Sequence, residues 1–191
     1  MVRAKKKVRQ QLLVDQVREK PFLTDEELAK LLQVSIQTIR LDRLELGIPE
    51  LRERIRKMAE NAQTKVKSIE SREVIGELID LELGRSGISL LRITDDMVFA
   101  KSQVARGHYV FSQANSLALA IIDAPMAVTG VANIKYKVPV HVGDKLIAKA
   151  EIIRRRGNKF FVWVRTRNEE QEVFRAKFIM VSWDEDKEAL P

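Results

Sequence analysis

The feature that most limits the possible folds is a change of hydrophobic period near residue 72. Beyond it, six segments are rich in β-branched and aromatic residues, and several of them alternate strictly between apolar and polar positions. Only one long helical pattern, 105–123, interrupts them. The second part of the chain is therefore predicted to be an α+β layer with one helix packed on an antiparallel sheet. The six predicted strands are 73–83, 88–94, 126–138, 145–155, 159–168 and 172–183.

Residues 1–48 show helical spacing only. Thr24 and Glu27 have the spacing of a capping box, Ser35 is the N-cap of the next helix, and Gly47 ends that helix. A capped helix, a tight break and a second capped helix predict a helix-turn-helix motif that binds DNA. The alternative is an ordinary helical hairpin with a solvated charged face.

The second helix of this motif carries polar side chains that suit the major groove. Glutamine can form two hydrogen bonds with adenine, arginine can bind guanine with its fork of donors, and serine or threonine can reach phosphates or bases. The predicted DNA contacts on this helix are Ser35, Gln37, Thr38, Arg40 and Arg43.

Residues 49–71 are predicted to form an amphipathic linker helix. Its apolar positions, among them Leu51, Ile55 and Met58, make a narrow stripe that is typical of a surface facing a partner or another domain. Its charged side is either solvated or supplies one arginine to phosphate or a narrow minor groove, for which Arg56 is the candidate. The predicted domains are 1–48 for the helix-turn-helix, 49–71 for the linker and 72–191 for the C-terminal domain.

Composition limits the possible partners and chemistry. The net charge of +7 and the pI of about 9.7 fit a polyanionic partner such as nucleic acid, or solubility alone. The lack of cysteine excludes disulfides and thiolate catalysis, and two histidines do not favour a zinc site. No apolar stretch reaches the roughly 20 residues of a membrane span, and the basic N-terminus has no apolar export signal. We expect a cytoplasmic protein without a metal or a membrane partner.

The helical segment 105–123 begins with Arg106 and Gly107 and carries Asn115 in its interior. A guanidinium group can bind a carboxylate with two donors, and a glycine lets backbone approach a ligand closely. The start of a helix adds unpaired N–H groups and a favourable dipole. These features predict a site for an anionic ligand. The alternatives are a surface salt bridge for Arg106 and a hydrogen-bonded core amide for Asn115.

Two sets of motifs carry a family resemblance. The first is the run of Leu28-Ala29, Val34-Ser35, Thr38-Ile39-Arg40 and Asp42, which resembles the DeoR-like helix-turn-helix. The second is the long helix on an antiparallel sheet, which resembles the hot-dog fold. With the segments SIQTIRLDRLELGIPELRERI, ARGH and FSQANSLALAIID, the chain resembles over its whole length the FapR family of bacterial repressors of fatty-acid and phospholipid synthesis genes.

The resemblance implies a homodimeric repressor that binds a palindromic operator in double-stranded DNA. Its effector would be malonyl-CoA or malonyl-acyl carrier protein, without any further cofactor, and effector binding would release the DNA. By resemblance, the malonyl pocket is lined by Phe99, Arg106, Gly107 and Asn115, with Arg106 and Phe99 acting across the dimer interface. For Phe99, a place in the hydrophobic core remains the alternative.

The resemblance to hot-dog hydrolases leaves an enzymatic alternative, an acyl-CoA thioesterase with an accessory DNA-binding domain. Thioester hydrolysis needs a base that activates water or a carboxylate nucleophile. Hydrolases of this fold commonly place that carboxylate on the central helix, where this chain has Asn115. An amide cannot accept a proton at neutral pH. We therefore expect a binding protein with no catalytic residue.

Overall fold

The computed structural model describes residues 6–183. Residues 1–5 and 184–191 lie outside the described range, and with them the first half of the basic N-terminal segment 1–10 in which no export signal is predicted. Contacts divide the chain into two compact units, 1–58 and 59–191. Within the described range, no helix has the length and apolar character needed to cross a membrane.

The N-terminal unit consists of helices joined by short turns. They are α1 (Lys6–Glu19), α2 (Asp25–Leu32), α3 (Ile36–Glu45) and the first part of α4 (Leu51–Gln63). Thr24 accepts a hydrogen bond from the Glu27 backbone, and the Glu27 carboxylate accepts one from the Thr24 backbone, so the predicted capping box is confirmed. Ser35 caps α3 as predicted. The core that joins α1, α2 and α3 is formed by Leu13, Leu28, Ala29 and Ile39.

Helix α4 ends earlier than the predicted linker helix. The helical pattern continued to residue 71, whereas α4 ends at Gln63 and is followed by turns and a short 3-10 helix, Ser71–Glu73. The boundary between the two compact units falls inside α4, after Met58.

Asp42 is a buried carboxylate that ties α3 to α1. Its two oxygens accept hydrogen bonds from Arg9 Nε at 2.6 Å and Arg9 Nη2 at 3.1 Å, and Gln10 adds a third at 3.2 Å. The hydrogen bond from Arg9 is the main reason why the pKa of Asp42 lies below its usual value. The ion pair therefore stabilises the N-terminal unit only while Asp42 is ionised.

Replacing Asp42 by asparagine is expected to lower the free energy of unfolding by about 1–2 kcal/mol at pH 7, because Arg9 keeps its charge and loses its anionic partner. The pKa is lower in the folded chain, so the contribution is complete above the unfolded value of about 4 and is lost as the pH falls through the folded value. Urea unfolding followed by helical circular dichroism at pH 7 and pH 3 measures both effects. A difference between wild type and variant that stays equally large at both pH values would contradict this account.

The C-terminal unit is a six-stranded antiparallel sheet with one long helix, α5 (Gly107–Ala120). The strands are β1 (Glu77–Glu82), β2 (Ser86–Arg92), β3 (Met126–Tyr136), β4 (Lys145–Arg156), β5 (Lys159–Arg167) and β6 (Glu172–Trp183). Their order in the sheet is β1-β2-β4-β5-β6-β3. The predicted α+β architecture and all six predicted strands are confirmed, with shifts of a few residues at the ends.

Helix α5 packs against one face of the sheet, and the main core lies between them. The helix contributes Ala114, Leu117, Ala118 and Ala120 to a cluster that includes residues of β4, β5 and β6. β3 lies at one edge of the sheet, beyond β6, and its outer edge pairs with no other strand of the described chain. The apolar side chains that β3 exposes include Val128, Val131, Ile134 and Tyr136.

Candidate functional site

Four of the five predicted DNA contacts lie on the accessible side of α3. Gln37 and Arg40 are exposed, and Arg40 is only loosely paired with Asp25, with 3.7 Å between Nε and Oδ2. The Ser35 and Thr38 hydroxyls are 2.9 Å apart, and the Thr38 amide donates to the Ser35 hydroxyl. Ser35 therefore holds the first turn of the helix in place beside the polar face.

Arg43 does not lie on this face, which corrects its prediction as a DNA contact. It is 4% exposed and donates two hydrogen bonds of 2.8 Å to the Asp25 carboxylate and one of 3.2 Å to the Ile48 carbonyl. The physical reason is helical geometry, because Arg43 follows the core residue Ile39 by one turn and so shares its inward side. Arg43 holds α3 against the start of α2.

Two leucines that were not among the predicted DNA contacts also lie on the accessible side of α3. Leu41 and Leu44 are both largely exposed, and Leu44 is 77% exposed. They follow Gln37 by four and seven residues, the spacing of one helix face, so their positions could have been read from the sequence. Apolar side chains in a recognition helix can contact the methyl group of thymine.

Two arginines of α4 have opposite environments. Arg56, the predicted groove contact, is exposed and lies 3.4 Å from Glu53. Arg54, which the sequence analysis did not single out, is 6% exposed.

Arg54 has no carboxylate partner within the described residues and binds backbone instead. Its guanidinium donates to the carbonyls of Pro21 at 3.1 Å, Leu23 at 2.6 Å and Pro49 at 2.9 Å. Burial lowers the pKa of Arg54. This side chain fastens the first turn of α4 to the loop between α1 and α2.

Arg106 is the N-cap residue of α5 and is half-buried. Its Nη2 donates to the Asp96 carbonyl, and the guanidinium carbon lies 5.7 Å from the centre of the Tyr109 ring. Its Nε is buried and has no hydrogen-bond partner among residues 6–183, and no carboxylate there forms an ion pair with it. The alternative of a surface salt bridge is therefore not what the described chain forms.

Tyr136 of β3 packs directly against Gly107. The Tyr136 hydroxyl donates to the Gly107 carbonyl at 2.8 Å, and a Cβ atom at position 107 would lie 2.9 Å from the Tyr136 ring. Both residues line an apolar cavity of about 360 Å³ with Val110 and Val140. Burial raises the pKa of Tyr136, which keeps its hydroxyl protonated as a donor. Tyr136 was not predicted as a site residue, because nothing in its strand pattern marks it as a neighbour of the helix start.

Replacing Gly107 by alanine is expected to destabilise the C-terminal unit by about 1–3 kcal/mol, because the new methyl group overlaps the Tyr136 ring. Thermal unfolding measures this loss. The double variant Gly107→Ala/Tyr136→Leu is expected to recover part of the stability, since leucine leaves more room beside the helix. If the double variant were as unstable as the sum of the two single variants, the clash would not be the cause.

Asn115 lies two turns further along α5. It is half-buried, and its Oδ1 accepts a hydrogen bond from the Thr129 hydroxyl at 2.6 Å. It lines a second groove together with Phe111 and Glu73. Eight residues separate it from Gly107, about 12 Å along the helix axis. Within one chain, these two predicted ligand residues therefore line different cavities.

The buried amide of α5 is Gln113. It donates from Nε2 to the Ser89 carbonyl at 3.2 Å and to the Leu146 carbonyl at 3.0 Å, deep between the helix and the sheet. Gln113, rather than Asn115, is the fully buried core amide of this helix.

Phe99 is 54% exposed, so its alternative as a core residue is wrong. It stands at the base of a small loop, where its backbone N–H donates to the Val104 carbonyl and its carbonyl accepts from the Gln103 N–H, both at 2.9 Å. This loop leads directly to Arg106, so an exposed aromatic ring and the arginine stand on neighbouring segments.

Known proteins resemble this chain over its whole length. The thioesterase superfamily matches residues 98–174. The transcription factor FapR of Caldanaerobacter subterraneus subsp. tengcongensis is 61% identical over 97% of this chain and 92% of that protein. The transcription factor FapR of Bacillus subtilis strain 168 is 48% identical over 94% of this chain and 97% of that protein.

Solved structures agree with the fold of the C-terminal unit. The uncharacterized protein PH1136 from Pyrococcus horikoshii has a TM-score of 0.56 and 32% identity, over 60% of this chain and 87% of that one. The PaaI protein from the phenylacetic acid degradation operon of E. coli has a TM-score of 0.51 and 19% identity, over 55% of this chain and 80% of that one, and shows the fold alone. The C-terminal unit has the hot-dog fold, and the chain belongs to the FapR family of transcription factors.

Proposed function

We propose that this chain represses fatty-acid and phospholipid synthesis genes and leaves its operator when a malonyl thioester binds the hot-dog domain. The N-terminal helices would bind a palindromic site in double-stranded DNA, in the cytoplasm. The effector would be malonyl-CoA or malonyl-acyl carrier protein. Membership in a family of transcription factors supports the DNA partner, and the hot-dog fold supports the acyl thioester.

The observation that carries the effector proposal is the buried Nε of Arg106, which has no hydrogen-bond partner among residues 6–183. A buried guanidinium nitrogen without a partner is costly, and a ligand carboxylate would supply the missing acceptor with a charge-assisted bond. The N-terminus of α5 lies beside it and adds unpaired N–H groups that favour an anion. Malonyl thioesters carry a free carboxylate at one end, which matches this site.

A homodimer would explain why the four predicted ligand residues do not share one cavity in a single chain. β3 is eleven residues long, and within the described chain its outer edge pairs with no other strand. A second copy can pair with this edge and cover the exposed apolar side chains of β3. We propose that Arg106 and Phe99 of one subunit then complete the groove that contains Asn115 of the partner. Two subunits would also present two DNA-binding units to the two halves of a palindrome.

One observation favours the thioesterase alternative, namely a carboxylate, that of Glu73, in the groove that contains Asn115. Glu73 lines the same groove as Asn115, but its carboxylate accepts a hydrogen bond of 2.8 Å from the Glu70 backbone. Glu73 thus caps a 3-10 helix, and Asn115 accepts a hydrogen bond from Thr129. Both side chains therefore have structural partners, which argues against Glu73 as a catalytic base. Release of free CoA from malonyl-CoA at rates above a protein-free control, and its loss in Glu73→Gln, would establish the hydrolase.

Coupling between effector and DNA would run through α4. Its apolar positions Leu51, Ile55 and Met58 are half-buried, which is consistent with a seam that can pack in two ways. Coupling free energies between sites are typically about 1–3 kcal/mol, which changes DNA affinity about 5- to 150-fold.

The experiment that tests the proposed function is a titration of operator duplex with protein, with and without malonyl-CoA. Malonyl-CoA is expected to weaken DNA binding, whereas acetyl-CoA, which lacks the free carboxylate, is expected to have little effect. Equal release by both thioesters would remove Arg106 from effector recognition. No release by either would contradict the proposed effector.

A further inference from the structure

The face of the sheet that points away from α5, called here the outer face, carries a row of four cations, one on each of four neighbouring strands. Strand pairing places Lys149 of β4 opposite Arg165 of β5, Arg165 opposite Arg175 of β6, and Arg175 opposite Lys135 of β3. Ala150, the next residue of β4, is buried in the core beneath α5, so strand alternation directs Lys149 and its cross-strand neighbours outward. These four residues form the cationic row.

Carboxylates lie near the cationic row without pairing with it, since Glu151, Glu169 and Glu172 line the same groove as Lys149 and Arg165. Among residues 6–183, none of its four members forms an ion pair within 4 Å. Glu172 is close enough to respond to the row, because a hydrogen bond from Lys137 and the charges of Lys137, Arg165 and Arg175 lower its pKa, but its carboxylate is paired with Lys137 at 2.5 Å. Like charges directly opposite one another destabilise a sheet. A partner with negative charge would remove this cost.

Apolar side chains flank the cationic row on the same face. Ile147 precedes Lys149 by two residues and is 50% exposed, and Trp163 precedes Arg165 by two residues and is 38% exposed. Together with Ile153 they line a groove of about 650 Å³ on the outer face. The phosphate backbone of a DNA duplex offers no apolar partner to these side chains, whereas an amphipathic protein helix does.

The spacing of the cationic row fits the carboxylates of such a helix. Three interstrand steps of about 4.8 Å give the row a length of about 14 Å. A helix of ten residues is about 15 Å long, and acidic residues three or four apart on one face are about 5–6 Å from each other. An acidic amphipathic helix can therefore match the cations one by one and place its apolar edge in the groove.

We propose that the outer face docks an acidic helix of the carrier protein that brings the malonyl thioester, an inference that rests on the proposed function. Lys135 directly precedes Tyr136, which lines the cavity beside Gly107. The row thus ends where β3 ends, and the cavity lies on the other face of the sheet, because successive residues of a strand point to opposite faces. A carrier protein seated on the row passes its thioester arm around the end of β3 to reach that cavity. Malonyl-CoA has no protein body and binds without the row.

The test compares the affinities of the full chain for malonyl-acyl carrier protein and for malonyl-CoA, measured by calorimetry at low salt. The test variant is Lys149→Gln/Arg165→Gln. The matched control is Arg156→Gln/Lys159→Gln, which removes two charges from a directly paired position on the same two strands, at the far end of the hairpin. Thermal unfolding of both variants checks the fold, and the test variant is expected to melt no lower than wild type because a like-charge contact is removed.

We expect the test variant to bind the carrier form about 5- to 20-fold more weakly and the control to change less than twofold, with malonyl-CoA affinity unchanged in both. Higher salt should weaken binding of the carrier form by wild type more than by the test variant.

An equal loss of affinity for the carrier and CoA forms in the test variant, or no loss for either, would overturn the docking surface. Wild type that binds malonyl-CoA but not the carrier form would also overturn it, whereas wild type that binds neither would contradict the proposed function itself. Weaker binding of non-operator duplex by the test variant, with carrier affinity intact, would assign the row to nucleic acid.

Discussion

Replacing Arg54 by alanine is expected to lower the free energy of unfolding of the N-terminal unit by about 3–5 kcal/mol. The substitution removes three charge-assisted hydrogen bonds and leaves the carbonyls of Pro21, Leu23 and Pro49 without their donor. A small helical unit has a total stability of the same order, so DNA affinity should fall at least tenfold. Urea unfolding and operator binding measure the two losses in parallel.

Two further variants, Arg54→Lys and Arg52→Ala, separate the role of Arg54 from a general effect of charge. Arg54→Lys keeps the charge, but a single ammonium group cannot reach three carbonyls in a fixed fork, so we expect an intermediate loss. Arg52→Ala removes an exposed arginine from the same turn of α4 and should change stability by less than about 0.5 kcal/mol. Malonyl-CoA affinity should stay unchanged in all three variants, because these residues lie in the other compact unit. Equal stability of Arg52→Ala and Arg54→Ala would remove Arg54 as the fastening of α4.

The elements of the fold could be predicted from the sequence because their signals are local. The capping box of Thr24 and Glu27 and the N-cap Ser35 each involve residues three apart, and the strands are marked by alternation and glycine turns. The end of α4 was less predictable. The helical spacing continues to Val66, yet the helix ends at Gln63, since an apolar stripe alone does not show where the chain turns.

The environments of the site residues could not be predicted because they depend on contacts distant in sequence. The spacing of Arg43 from Ile39 indicates the inward side of α3, but its partner Asp25 and the burial of Arg54 against the loop before α2 appear only with the packing of the helices. Tyr136 reaches Gly107 across 29 residues of chain. The cationic row likewise needs the strand register, since its members are separated by a different number of residues at each step.

Replacing Arg106 by alanine is expected to weaken malonyl-CoA binding by about 30- to 1,000-fold, because the substitution removes the cation of the ion pair proposed with the ligand carboxylate. Operator affinity in the absence of effector should stay within twofold of wild type, because Arg106 lies in the C-terminal unit. Under the proposed function, the variant would then stay on its operator at malonyl-CoA concentrations that release the wild type. Calorimetry and operator titration with malonyl-CoA measure these changes.

A ratio of affinities distinguishes recognition of the carboxylate from a structural role of Arg106, whose side chain also donates to the Asp96 carbonyl. Loss of local structure would weaken malonyl-CoA and acetyl-CoA alike, whereas loss of the carboxylate partner lowers only the preference for malonyl-CoA. Arg106→Lys should keep part of this preference, since it retains the charge without the fork. The complementary variant Arg40→Ala removes an exposed arginine of α3 and should weaken DNA binding while malonyl-CoA affinity is preserved. If Arg106→Ala still preferred malonyl-CoA and still released DNA normally, the anion at the start of α5 would not be the signal that this protein senses.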